Sequence, residues 1–477
     1  MTNKTTIKHT KILATVGPAV DSAEKIAALI DAGVNGCRMN FSHGSPEQRD
    51  MQFKWIRDHA AKVGKHIAIL QDLQGPKIRI GQLKDDMQFD INTGDELGLT
   101  YGIEHDGGNN LPSQFDLSTG AKPGERIYLF DGKIKTIVQR IEGSTVWVRA
   151  ENNGYVISRK SINLPDTNFD QGQILTEKDI ADLEWGADKD FDYLAVSFIH
   201  KASDLDYVRQ MMAERGIDRP IITKLETKMG ADPENLEEIV KNSDGVMVAR
   251  GDLATEAGAE VVPVIQRKII ALCQKHCKLS IVATQMMASM VDNPEPTRAE
   301  VSDVATAAIE GADVVMLSDE TAMGKYPIEA VLAMKKTILY AQEHLPVNPL
   351  YVREGSDRRR DSIAESAVLL AERAEADAIV VETTSGKMAK NIAIHRPKCP
   401  ILAVAPTDRV ANQISLLYDT HSFHGQSGAS DDVVQKLFED GFFEKETVTI
   451  VLVRRLPEAA PPAIANTVQL RVLGADE

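Results

Sequence analysis

Eight short β-branched segments recur along the first 320 residues, most of them followed by an amphipathic stretch. They are ILATVG (12–17), GCRMNF (36–41), HIAILQD (66–72), DYLAVSF (192–198), PIITKLE (220–226), GVMVARGD (245–252), LSIVATQ (279–285) and VVMLSD (314–319). Stretches such as DSAEKIAALIDAG and ASDLDYVRQMMAERG between them begin at a capping Ser or Asp and stop at Gly, as helices do. Eight β/α units in series predict a (β/α)₈ barrel. An open doubly wound sheet is the competing arrangement, but eight regular units without a GxGxxG phosphate loop favour closure.

The rhythm breaks once, between Asp72 and Asp192. There DMQFDINTGDELGLTYG and GERIYLFDGKIKTIVQRIEGSTVWVRAENNGYV alternate polar and apolar residues between Gly, Asp and Asn turns. This predicts a small antiparallel β-barrel inserted after the third strand, at the barrel face where active sites lie and where it can act as a lid. From VNPLYVREGSDRRRD onward the texture changes again: helix SIAESAVLLAERAEA, strand AIVVET, helix MAKNIAIHR, then strands ILAVAP, TVTIVLV and TVQLRVL. The expected domains are the barrel in two parts (1–74 and 167–346), the lid (75–166) and a C-terminal α/β domain (347–477).

Composition narrows the function classes. No apolar run approaches the ~18–20 residues of a membrane span, and MTNKTTIKHTKI lacks a signal-peptide core. Four scattered cysteines fit a reducing compartment, so a cytoplasmic protein is expected. A pair at helical spacing, Cys273 and Cys277 around His276, lacks the second ligand pair of a zinc site and reads as helix packing. A formal charge of −16 argues against a nucleic-acid surface. Any anion must therefore bind in a local pocket of cations.

Such a pocket is expected at the strand ends. Arg38, Asn40, Ser42, Asp72, Ser197, Lys224, Glu226, Arg250, Gly251, Asp252, Thr284, Gln285 and Ser318 all fall at or just beyond them. One polar strand end is ordinary; seven at one rim need partners, because packed strands exclude unpaired charge. Glu226 and Asp252, from adjacent strands, can hold Mg²⁺, which commonly takes one or two protein carboxylates. Lys224 lies two residues from Glu226, on the same side of the strand, where it can meet phosphate or charge developing on a substrate oxygen. Gly251 allows a carboxylate to approach the backbone, and Thr284 adds a hydroxyl. With Arg38, Arg79 and Lys178 as cations, the set points to phosphoryl transfer.

At this point a resemblance becomes specific. TKILATVGPA, RMNFSHG, DLQGPKIR, LTEKD, ITKLE, VMVARGDL, ATQMMASM, PTRAEVSDVA and GADVVMLSDETAMGKYP, in this order, resemble the pyruvate kinase family along essentially the whole chain. The resemblance implies transfer of phosphate from phosphoenolpyruvate to ADP, giving pyruvate and ATP, with Mg²⁺ or Mn²⁺, in a homotetramer; charge and hydropathy add the expectation of no nucleic-acid or membrane partner. It implies metal ligands at Glu226 and Asp252, a catalytic lysine at Lys224 and a substrate-phosphate arginine at Arg38. Gly251, Asp252 and Thr284 are implied at the substrate, and Asn40, His43, Arg79 and Lys178 at the nucleotide. Ser318 and Thr284 are candidates for the proton relay to the enolate, with a water as the alternative. A Mg²⁺-dependent lyase on a related barrel would share the metal but would not need the insertion, Lys178, Arg79 or His43.

Two departures from the family pattern carry expectations. The family's common Asp-Thr-Lys-Gly-Pro-Glu reads here Asp72-Leu73-Gln74-Gly75-Pro76-Lys77. Members with the glutamate hold K⁺ near positions matching Asn40, Ser42 and Asp72, whereas those with lysine generally do not require it. Lys77 is thus expected beside Asp72 as a tethered substitute for K⁺, with Leu73 marking a lost ligand; a solvated hinge lysine is the plainer alternative. In the C-terminal domain, Thr383, Thr384, Ser385, Gly386 and Lys387 resemble a loop for the phosphate of a sugar or nucleotide effector, ahead of a helix N-terminus. The usual closing elements are replaced by Arg454-Arg455 and Ala465-Asn466.

Overall fold

The computed structural model describes residues 7–167, 174–345, 347, 350, 359–426, 428–443, 445–456 and 465–474. Eight parallel strands close a barrel in chain order: Lys11–Val16 (β1), Gly36–Asn40 (β2), Ala68–Asp72 (β3), Tyr193–Val196 (β4), Ile221–Leu225 (β5), Gly245–Ala249 (β6), Leu279–Ala283 (β7) and Val314–Leu317 (β8). All eight overlap the predicted segments. They read as near-continuous apolar runs because both faces are buried. Leu13, Leu70, Ile222, Met247, Ile281 and Met316 fill one core, whereas Ile12, Ala14, Ile69, Val282 and Val315 pack into another. Truncating a fully buried side chain such as Met247 to Ala would cost about 2–5 kcal/mol.

The connecting helices are locally specified. Ser22 caps Ala23–Ala32 by accepting from the Lys25 N–H, and Gly33 at φ 119° ends it. Thr297 and Glu300 form a reciprocal capping box at the start of Arg298–Ile309.

The insertion takes the form of a six-stranded sheet and a two-stranded ribbon. The sheet runs in spatial order Ile162–Asn163, Arg126–Leu129, Ile134–Glu142, Thr145–Ala150, Glu96–Tyr101 and Asn110–Ser113. Its last pair is parallel, where the period-2 pattern predicted only antiparallel neighbours. Phe89–Ile91 pairs with Gly154–Val156 as the ribbon, and Ile80, Leu99, Ile127, Leu129, Val146 and Val148 give the lid its own core. The chain enters the lid at Gly75, whose φ of 70° and closeness to Ser197 exclude a side chain: a Cβ there would lie 2.6 Å from that of Ser197.

The C-terminal sheet runs Thr420–His424, Ile401–Ala405, Ala378–Glu382, Val448–Leu456 and Ala465–Leu473, with only the last strand antiparallel. Thr420–His424 has no predicted counterpart; THSFH is short and half polar, which hides it. Arg396 joins this domain to the barrel floor: it pairs with Asp313 at 3.0 Å, donates to the Gly311 carbonyl and lies over the Tyr418 ring. Most of the connector 347–361 and the loop 457–464 fall outside the described residues. No helix among the described residues is long and apolar enough to cross a membrane. Nor do they contain a cluster of three or more metal-ligating side chains; His276 instead meets Glu237 at 2.8 Å.

Candidate active site at the barrel mouth

The strand ends do meet. Asn40 ends β2 opposite Asp72 at the end of β3, and Arg38 lies one turn of the pleat below. Asp72 is fully buried; its Oδ2 accepts from Arg38 Nε at 2.5 Å, and its Oδ1 lies 3.4 Å from Lys224 Nζ. Arg38 also donates to Thr15 Oγ1 on β1 at 3.2 Å. Lys224, on β5, donates to Ser197 Oγ at 2.7 Å, and that hydroxyl donates onward to the Leu73 carbonyl. Burial pulls the Lys224 ammonium down, but Asp72 and Glu226 outweigh it and raise its pKa above the ordinary lysine value. Lys224 is therefore a fixed positive charge.

Glu226 follows the end of β5. Its Oε1 accepts from the Phe198 N–H at 2.9 Å, while Oε2 is buried, 3.4 Å from Lys224 Nζ and without a hydrogen-bond partner among the described residues. Burial raises the Glu226 pKa, with Lys224 opposing it. That oxygen has an ion pair at 3.4 Å but no hydrogen bond, so it is open to a further cation. Asp252 stands at the start of helix Arg250–Ala257; burial would raise its pKa, but Lys77 prevails and holds it below the usual range. The pair Glu226 and Asp252 therefore fits a hard divalent cation in charge, donor type and number.

Thr284 and Gln285, just beyond β7, both have positive φ (68° and 54°), a costly conformation for a β-branched residue. Arg250 holds this turn: Nη2 donates to the Thr284 carbonyl at 2.7 Å, Nε reaches the same oxygen at 3.1 Å, and Nη1 pairs with Asp303. The result presents Thr284 Oγ1 to the Gly251 N–H at 2.8 Å. Ser318 Oγ is buried without a hydrogen-bond partner among the described residues, while its N–H is held by Glu320.

On the lid side, Asn40 Oδ1 accepts from the Ser42 N–H. Burial and then the neighbouring Arg79 and Lys160 lower the His43 pKa, so these cations share one face. Arg79 donates to the Arg159 carbonyl at 3.0 Å. Lys178 is held on the Phe41 carbonyl, just beyond β2, at 2.6 Å and on Asp182 at 2.5 Å.

Lys77 stands elsewhere than expected. Its ammonium meets Asp252 Oδ1 at 2.6 Å and lies 3.6 Å from Asp131 of the lid; Asp72 is not among its ion-pair partners. Five residues of sequence separation placed Lys77 beside Asp72, but the turn at Gly75 carries it across the barrel mouth. Asp131, Lys160 and the role of Arg250 were missed. DGK and RKS gave no distinguishing signal, because each pattern also occurs in solvated turns.

In the C-terminal domain, Thr383 is buried and its N–H bonds to the Val404 carbonyl. Gly386, at φ 74°, leads into the short helix Lys387–Ala393, beside Ser385 and Thr384. Arg454 lies 3.4 Å from Asp431, while the Arg455 side chain lies outside the described residues.

Comparison with known proteins agrees with this architecture. The family model described as the pyruvate kinase barrel domain matches residues 7–331, and that of the pyruvate kinase alpha/beta domain matches 361–469. A pyruvate kinase of Clostridium acetobutylicum is 36% identical, over 93% of this chain and 96% of that one. One from Corynebacterium efficiens is 35% identical over 98% of both chains. One from Agaricus bisporus is 40% identical over 86% of this chain and 78% of its own. The chain belongs to the pyruvate kinase family.

Proposed function

We propose that the barrel mouth transfers the phosphoryl group of phosphoenolpyruvate to ADP, giving pyruvate and ATP. The observation that carries this reading is the convergence of Arg38, Asp72, Lys224 and Glu226 within 3.4 Å contacts at one end of the barrel, with Asp252 beside them under the lid. Glu226 and Asp252 would hold Mg²⁺ or Mn²⁺, which when bound supplies positive charge to phosphate and enolate oxygens. Arg38 and Lys224 bind the phosphate of phosphoenolpyruvate, and Lys224 then faces the charge left on the enolate oxygen when the P–O bond breaks.

The Gly251 backbone and the Thr284 hydroxyl it fixes orient the substrate carboxylate, next to Asp252. His43, Arg79 and Asn40 line the side open to ADP, and Lys178 reaches it if it leaves Asp182. The enolate carbon takes its proton from the side of Thr284 and Ser318; the unpartnered Ser318 hydroxyl supports that assignment. These placements use positioned charge rather than covalent chemistry, as phosphoryl transfer requires.

Potassium is not required in this reading. Leu73 is a buried hydrocarbon, and Asp72 is already countered by Arg38 and Lys224. Binding of a sugar-phosphate or nucleotide effector at residues 383–387 and assembly as a homotetramer complete the proposal. The sheet edge at Ala465–Leu473, with half-exposed Leu470 and Val472, is consistent with such assembly. The test is pyruvate formation from phosphoenolpyruvate, coupled to NADH oxidation by lactate dehydrogenase, in K⁺-free buffer with Mg²⁺. The expected rate depends on ADP and rises less than twofold on adding K⁺, the scale of a screening effect. ADP-independent pyruvate release would contradict the transfer, and strict K⁺ dependence would contradict the cation reading.

A further inference from the structure

Lys77 sits between two carboxylates that belong to different parts of the molecule. Asp252 Oδ1, on the barrel, is 2.6 Å from its ammonium, and Asp131 Oδ1, on the lid, is 3.6 Å away. The Lys77 side chain is largely buried between these two acids, 18% exposed, which confines its ammonium to one or the other. We propose that Lys77 is a shuttle: a divalent cation arriving at Asp252 displaces the ammonium onto Asp131 and so seats the lid. The proposal rests on the reading of Glu226 and Asp252 as metal ligands.

The displacement follows from charge. Two cations on one carboxylate repel each other, and a largely buried ammonium needs an acid partner. Apart from Asp252, Asp131 is the carboxylate in ion-pair reach of Lys77 among the described residues. It is held ready. Phe130, Asp131 and Gly132 all have positive φ (54°, 55° and 82°), a tight turn fixed where Ser161 Oγ donates to Asp131 Oδ1 at 2.6 Å. Lys133 and Lys160 each lie over the Phe130 ring, at 4.0 and 4.8 Å.

The same turn already touches the metal side of the barrel. A Cβ on Gly132 would lie 3.4 Å from Thr255, one turn beyond Asp252 in the same helix, and Asn163 of the lid donates to Glu256. A lysine transferred to Asp131 would thus tighten a contact that exists, at the place where the metal binds.

The test is Mn²⁺ binding to the full-length, substrate-free enzyme, measured by isothermal titration. The proteins are wild type, Lys77→Met, Asp131→Asn, the double variant and Asp252→Asn. Asparagine at 131 keeps the oxygen that accepts from Ser161, so the turn is preserved. Asp131→Asn should weaken binding about five- to tenfold, and Lys77→Met should tighten it by a similar factor, the scale of one partly buried ion pair. In the Lys77→Met background, Asp131→Asn should change affinity less than twofold. Equal weakening in both backgrounds would mean that Asp131 acts only through its field on the metal, and would overturn the shuttle. So would no effect of Asp131→Asn. These failures are separable from failure of the metal assignment, in which Asp252→Asn would bind Mn²⁺ as wild type does and remove the shuttle with it.

Discussion

Thr284 is the residue whose cost is easiest to see. A β-branched side chain at φ 68° is strained by roughly 1–3 kcal/mol, and something must hold it there. Arg250 does so through two donors on the Thr284 carbonyl, while Asp303 fixes the far end of the guanidinium. In the proposed reaction Arg250 is thus a positioning residue that acts through Thr284. Lysine at 250 keeps the charge but not the forked geometry. Arg250→Lys should lower kcat/KM for phosphoenolpyruvate about tenfold or more, the loss of one charged hydrogen bond, and leave KM for ADP unchanged. Equal losses for both substrates in steady-state kinetics would show that Arg250 serves stability alone. Nothing in VMVARGDL distinguishes this arginine from a substrate ligand. Its partner carbonyl lies just beyond another strand, and backbone carbonyls leave no mark in a sequence.

At the scale of elements, the eight barrel strands were legible because a parallel strand buried on both faces must be apolar throughout and must end in polar residues at one rim. That pattern identified Arg38, Asp72, Lys224, Glu226 and Asp252 together. It could not give side-chain direction where the chain turns sharply. Lys77 was placed by sequence proximity to Asp72, yet its hydrogen-bond partner is 175 residues away. The lid was read from period-2 alternation, which specifies faces but not strand order. The parallel pair Glu96–Tyr101 and Asn110–Ser113 was therefore not visible. In the C-terminal domain, THSFH escaped for the opposite reason: an edge strand of that sheet can stay polar.

The whole molecule is joined at the barrel floor, far from the chemistry. His9 lies 3.4 Å from Asp419 and 3.1 Å from Tyr418 Oη across the seam between barrel and C-terminal domain. Burial, helped by Lys11, lowers the His9 pKa from 6.5 to about 4, and burial also lowers that of His421. Above pH 6.5 His9 is neutral both folded and unfolded. As pH falls from 6.5 toward 4 the unfolded chain takes up the proton first, so stability falls, by up to about 3 kcal/mol for His9. Melting temperature should therefore drop between pH 7 and 5, and drop less steeply in His9→Gln. Identical slopes would mean that His9 is protonated in the folded protein. This seam joins residues from opposite ends of the chain, which is why the sequence pattern gave no sign of it. The barrel mouth above it is where strands, lid and charge combine, and Lys224 is the fixed cation at its centre. Lys224→Met is therefore the decisive variant, read by the rate of ADP-dependent pyruvate formation at saturating substrates and metal, with circular dichroism to confirm the fold. Its kcat should fall by about two to three orders of magnitude or more, since a positioned cation in a water-poor site contributes ~3–4 kcal/mol or more at the transition state. Near-normal turnover in a folded Lys224→Met enzyme would show that this ammonium takes no part in the transfer.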